Sequence, residues 1–227
     1  MKKIIYLIFL IVFYGCMSAT EQQAMNSVAD YFACQVSYSK GFLASTEEED
    51  QKYLSLSLSG ENLVGLAPEN VATQAALIMY KNMTEAEKNA YTHLKIKVAI
   101  ENQETSFDIK TSKLQVASEK ARHHLKIVKA MNNQAYDQLM DRLDLVNFSK
   151  ENETVFIQNL HQIDKDAGKQ MELFSYGFSF LEDSVNNQLQ EYVNLTYISI
   201  RENKNMTLNL VYSIEEGDDK IYGFHLN

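Results

Sequence analysis

Apolar residues occupy every second position through much of the last quarter of the chain. Phe174, Tyr176, Phe178 and Phe180 alternate with smaller or polar residues, as do Val193, Leu195 and Tyr197, and then Met206, Leu208, Leu210, Tyr212 and Ile214. Successive side chains of a strand point to opposite faces, so each run predicts a strand with one apolar face. Asn203-Lys204-Asn205 and Glu216-Gly217-Asp218-Asp219 supply turn residues between the later runs. Gln170 to Asn227 is therefore expected to form an antiparallel meander with an aromatic inner face that helices must cover.

The period changes to three and four just upstream. Ser112-Lys113-Leu114-Gln115 has the form of a capping box, and Leu114, Ala117, Ala121, Leu125, Val128 and Met131 continue as one stripe of a long helix ending at Asn132-Asn133. Tyr136, Leu139, Met140 and Leu143 predict a shorter helix. After Asn147-Phe148-Ser149 a third carries Phe156, Leu160, Ile163 and Ala167, with Gly168 placed for a left-handed cap.

The first half mixes both periods. Ser18 to Ala33 reads as a helix with Ala24, Val28, Tyr31 and Phe32 on one side. Tyr53 to Gly60 alternates strictly, Leu inward and Ser outward. Pro68 suits a first helical turn, followed by a stripe through Ala72, Ala75, Ala76, Met79 and Met83, and Thr84-Glu85-Ala86-Glu87 is a second capping box. Two strands follow, His93 to Ile100 and Ser106 to Thr111, joined through Asn102-Gln103-Glu104, with Lys95 and Lys97 opposite the apolar Leu94, Ile96, Val98 and Ile100. The expected fold class is α+β. Residues 16–111 form a small unit read as helix, strand, helix, strand, strand, and residues 112–227 form three helices followed by a four-strand antiparallel meander.

Met1-Lys2-Lys3 and the apolar run Ile4 to Phe13 read as a signal peptide over residues 1–15, because roughly ten apolar residues are too few to span a bilayer. Phe13-Tyr14-Gly15-Cys16 resembles the bacterial lipobox. That resemblance implies an acylated Cys16 as the mature N-terminus, and so a lipid anchor in the cell envelope, on the outer membrane or the periplasmic face. A signal cleaved without lipidation would instead leave Cys16 and Cys34 free to pair in an oxidising compartment. The formal charge of −9 argues against nucleic acid as a partner. The acidic run Glu47-Glu48-Glu49-Asp50 reads as a solvated loop.

Three helices followed by a bending meander resemble the nuclear transport factor two-like superfamily, a cone of sheet wrapped on a helical lid. The likeness covers Ser112 to Asn227. It is nearest to small exported bacterial domains of unknown function, of the Bacteroidetes type, through the helix ending at Gly168-Lys169, the strand Tyr192-Val193-Asn194-Leu195-Thr196-Tyr197 and the closing Glu215-Glu216-Gly217 through Ile221-Tyr222-Gly223-Phe224. Some members are implied to be isomerases or dehydratases with an Asp, Glu or His inside the cone, while most exported ones bind or serve structural roles.

Candidate chemistry is thin. Phe174, Tyr176, Phe178, Tyr197 and Tyr212 would line the pocket of a hollow cone, or else fill its core. His161 and Asp164 share a helix face, but two ligands do not make a metal site. His123-His124 lies on the long helix, and His225 is the lone acid/base candidate. No catalytic residue, metal or cofactor is assigned. The expectation is a lipid-anchored envelope protein without an evident catalytic site, binding a small apolar ligand, a glycan or another envelope protein. The alternative is a small isomerase, dehydratase or hydrolase acting inside the cone.

Overall fold

The computed structural model describes residues 17–44, 50–144, 150–185 and 188–227. The expected signal segment, Cys16 and the acidic run up to Glu49 lie outside them. In chain order the elements are α1 (Ala19–Phe32), β1 (Gln35–Leu43), β2 (Gln51–Ser59), α2 (Pro68–Asn82), α3 (Glu85–Ala90), β3 (His93–Ile100), β4 (Gln103–Lys110), α4 (Thr111–Ala121), α5 (His124–Asn132), α6 (Tyr136–Met140), α7 (Lys150–Ala167), β5 (Gln170–Val185), β6 (Gln188–Arg201), β7 (Met206–Ser213) and β8 (Ile221–Leu226). The fold is α+β, with two four-stranded sheets among the described residues.

The first sheet runs β1-β2-β3-β4, with two antiparallel hairpins joined by a parallel β2–β3 pair. A parallel pair needs a crossover, and α2 and α3 provide it. One face carries Leu54, Leu56 and Leu58 beside Leu94, Ile96 and Val98, all buried beneath helices. The second sheet is the expected meander, β5-β6-β7-β8, antiparallel throughout.

Helix starts follow from local chemistry. The Ser18 hydroxyl accepts from Glu21 N–H while Glu21 accepts from Ser18 N–H, and Thr84 with Glu87 repeats this device at α3. Pro68 opens α2. The stripe expected on α2 widens around the helix, burying Val71, Thr73, Gln74 and Leu77 as well. Such a helix needs neighbours on several sides. It packs on α1, β3, β4, α4 and β5, so it touches both sheets, and the buried apolar residues of the two halves form one continuous core.

Four expectations are corrected. First, β1 was unexpected, because Gln35–Leu43 places Lys40 in the row of Leu54 on the covered face. Lys40 is held there by Glu21 of α1 at 2.7 Å. Second, Ser112 is no cap; Lys110 occupies that place without a side-chain bond, and Ser112 is the second residue of α4.

Third, the long helix is two helices. Arg122 and His123 N–H groups donate to carbonyls three residues back, Glu119 and Lys120. This tightens the turn and shifts the phase. His124 supports the shift, its ring bonded to the Ala121 carbonyl at 2.8 Å and stacked on Tyr197. The stripe therefore passes to Ile127, Ala130 and Met131, and Leu125 is left 66% exposed.

Fourth, a bulge at Tyr176 interrupts β5. Ser175 pairs with Tyr197, but the next paired residue is Gly177, with Thr196. One extra residue exchanges the faces of a strand. Phe178 is thus buried while Phe174 is exposed. The Tyr176 hydroxyl reaches out to accept from Ala67 N–H at 3.3 Å.

Candidate functional site

The second face of the first sheet is not covered by any described element. Alternation and register put four short rows there, and the two central ones are Ser39–Ser55–Lys95–Asp108 and Ser37–Ser57–Lys97–Ser106. Beside them Tyr53 of β2 leans over Gly41 of β1, where a side chain on residue 41 would collide with the phenol ring. The Lys95 ammonium sits 4.4 Å from the centre of that ring and also reaches Gln51 Oε1 at 3.1 Å and Asp108 Oδ2 at 3.4 Å. Lys97 pairs with Glu104 at 3.3 Å.

Serine is much shorter than tyrosine or lysine, so the middle of the face is sunk. The hollow measures about 450 Å³, rimmed by Tyr53, Lys95, Lys97 and Asp108, with Ser39, Ser55 and Ser106 within. Ser55 is only 8% exposed, as expected at the floor. None of the three hydroxyls has a hydrogen-bond partner among the described residues. Each can donate and accept. The lysines are offset one for one by Asp108 and, just outside the hollow, Glu104, so the site carries little net charge.

No histidine or carboxylate hydrogen-bonds any of these serines among the described residues, so none is an activated nucleophile. His93, in the Tyr53 row, is engaged with Thr92 Oγ1 at 2.9 Å. Among the described residues no three metal-ligating side chains converge, and no helix is long and apolar enough to cross a membrane.

The aromatic residues expected to line a pocket are placed otherwise. Phe178, Tyr197 and Tyr212 are buried in the core, against the helices that cover the second sheet. Phe174 and Tyr176 lie beyond the bulge-induced change of face. None of the five borders the hollow. Burial is the main cause that holds the Tyr197 and Tyr212 phenols well above their usual range; at Tyr212 the Arg142 charge opposes it and Asp219 adds to it.

The histidines do not converge either. His161 packs edge-on against Tyr136, at 5.0 Å between ring centres. Asp164 instead takes Arg201 at 2.9 and 3.0 Å, Gln134 at 2.9 Å and the Tyr136 hydroxyl. Arg201 also donates to the Gly168 carbonyl at 2.8 Å. This buried ion pair ties α7 to β6 and the start of α6, and its members saturate one another, save Arg201 Nε. His123 pairs with Asp219 at 2.9 Å, and His225 is exposed on the outer face opposite Asn209. Cys34 is half-buried, and burial raises its thiol pKa.

Sequence reasoning found the outward serines of β2 and the lysines of β3 but not the hollow. The missing signal was β1, whose Ser37, Ser39 and Gly41 alternate as visibly as the serines of β2. Comparison with known proteins adds no relative: no family model, curated protein or solved structure matches the chain.

Proposed function

We propose that the protein is a lipid-anchored component of a bacterial cell envelope, held through Cys16, that binds a neutral, polyhydroxylated ligand of the glycan class on the open face of β1–β4. The observation that carries the binding reading is the set of three unpartnered serine hydroxyls in a charge-balanced hollow. A sugar offers alternating donors and acceptors without net charge, and hydroxyls of both kinds answer it. A strongly anionic ligand would be opposed by Asp108 and Glu104, and an apolar one would strand the serines without water. The apolar run ahead of Cys16 supports the anchor.

The helices between Thr111 and Ala167 followed by a bulged meander support reading the second half as a nuclear transport factor two-like cone. An isomerase, dehydratase or hydrolase would need room for a substrate on its inner face, beside an ionisable group such as the Tyr212 hydroxyl, which is buried there without a partner among the described residues. Phe178, Leu195, Leu210, Tyr197 and Tyr212 fill that face, so catalysis there is the weaker reading.

Titration of neutral di- to tetrasaccharides into the protein, followed by amide NMR, tests the ligand. Shifts are expected in β2 and β3, and Tyr53→Ala or Lys95→Gln should weaken binding at least tenfold. Binding that survives both changes, or no shifts with any neutral sugar, refutes the site. Mass spectrometry of the membrane fraction tests the anchor separately: a diacylglyceryl thioether on Cys16 is expected, and an unmodified thiol there refutes it.

A further inference from the structure

On the other side of the molecule, a cleft of about 360 Å³ lies between α4 and the pair formed by the end of α2 and α3. Two features of it bear on what it could hold. Glu119 and Arg122 stand three residues apart at the end of α4, a spacing at which opposite charges normally meet. Yet neither belongs to an ion pair among the described residues. Glu119 takes only the Gln115 amide, at 3.1 Å, and the Arg122 side chain has no hydrogen bond. A negative and a positive charge therefore face one cleft without neutralising each other.

The second feature is a pair of hydroxyls that open on the cleft from otherwise buried residues. Tyr80 is 7% and Ser118 8% exposed, both border the cleft, and neither has a hydrogen-bond partner among the described residues. Lys88 is already committed, to Glu85 at 2.7 Å and over the Tyr80 ring at 5.0 Å.

We propose that this cleft binds a small zwitterion, an α-amino acid or dipeptide, with its ammonium on Glu119 and the Tyr80 hydroxyl and its carboxylate on Arg122 and the Ser118 hydroxyl. A simple anion would meet Glu119 and a simple cation would meet Arg122, each with repulsion. Only a ligand carrying both charges satisfies both, and a guanidinium suits a carboxylate in two parallel bonds. The volume accommodates a dipeptide. The site is independent of the glycan reading, since it shares no residue with the open sheet face.

Calorimetry on the intact protein with alanylalanine, and with the same dipeptide acetylated at its amine or amidated at its carboxyl, decides the matter. The unblocked dipeptide should bind with a Kd of about 1 mM or tighter. Each blocked form should bind at least tenfold more weakly, and Glu119→Gln and Arg122→Gln should each reproduce that loss for the unblocked form. Both side chains are at the surface, so an unchanged melting temperature confirms that the variants fold, and Ser118→Ala gives a third, smaller reading. Blocked dipeptides binding as well as the free one, variants binding like the parent, or no heat at ligand concentrations of about 10 mM would each overturn the proposal.

Discussion

Gly177 is where the two sheets are pinned together, and replacing it with alanine has a calculable cost. Its φ is +150°, a conformation that residues with a Cβ rarely adopt. A Cβ there would lie 2.8 Å from Thr73 Oγ1, 3.0 Å from Asn70 Cα and 3.0 Å from the Asn70 carbonyl oxygen, all on α2. Two of these contacts are backbone, so no rotamer change relieves them. Thr73 is not free to turn either: its hydroxyl donates to the Glu69 carbonyl at 2.9 Å and accepts from Phe178 N–H at 3.1 Å, satisfying an outward amide of edge strand β5. Backbone strain of about 1–3 kcal/mol and overpacking of about 1–3 kcal/mol give roughly 4 kcal/mol for Gly177→Ala. Gly217 is the control, with a φ of +76° and nothing within 4 Å of its would-be Cβ. Its replacement incurs strain alone, about 1 kcal/mol. At an m-value of about 2 kcal/mol/M in urea, the midpoints should fall by about 2 M and about 0.5 M. Equal shifts would mean that α2 does not lie against β5 at the bulge, and the arrangement of the two halves would have to be redrawn.

Two further changes test charges. Asp164→Asn leaves the Arg201 guanidinium 1% exposed with no counter-charge, and a loss of about 3–5 kcal/mol is expected in the same titration; a loss under about 1 kcal/mol would show the pair to be solvated. Glu87 is pulled in opposite directions, burial raising its pKa, while hydrogen bonds from the Ser18 and Thr20 hydroxyls and from Thr84 outweigh it and hold the carboxyl at about 2, against an ordinary 4.5. A depressed pKa contributes stability above 4.5 that is lost as pH falls toward 2, so Glu87→Gln should flatten the stability–pH curve across that window, and an unchanged slope would refute the network.

What the sequence revealed depended on how local the cause was. Capping at Thr84, Pro68 at a first turn and Gly168 with φ +77° involve neighbours in the chain, and each was legible. Strands with one uniform face, β2, β3, β6 and β7, were legible for the same reason. Lys40 concealed β1 because the carboxylate that stabilises it beneath α1 lies on another element. Lys120, outside the stripe expected on the long helix, is also buried, donating to the Glu215 and Asp218 carbonyls at 2.7 and 2.6 Å. The bulge at Tyr176 fooled a period-two reading because aromatic residues stand at even positions on both sides of it. The serines of the open face were legible one strand at a time. Their meeting in one hollow was not, because it is a property of register between strands.

The two sheets also divide filling from recognition through side-chain size. On the helix-facing side of the second sheet, Phe178, Tyr197 and Tyr212 occupy the space a ligand would need. Their large rings make stability from the same area that a pocket would leave empty. On the open side of the first sheet polarity alone would not make a site, since a row of long charged residues would lie flat and close it. Room exists because three serines stand between longer neighbours, Tyr53, Lys95 and Lys97 at the rim. A hollow built this way has a floor of paired strands, so a ligand entering it orders little of the backbone, and its cost lies in the side chains of the rim. That is the physical reason to look for recognition on the serine face and not among the aromatic residues that first draw attention.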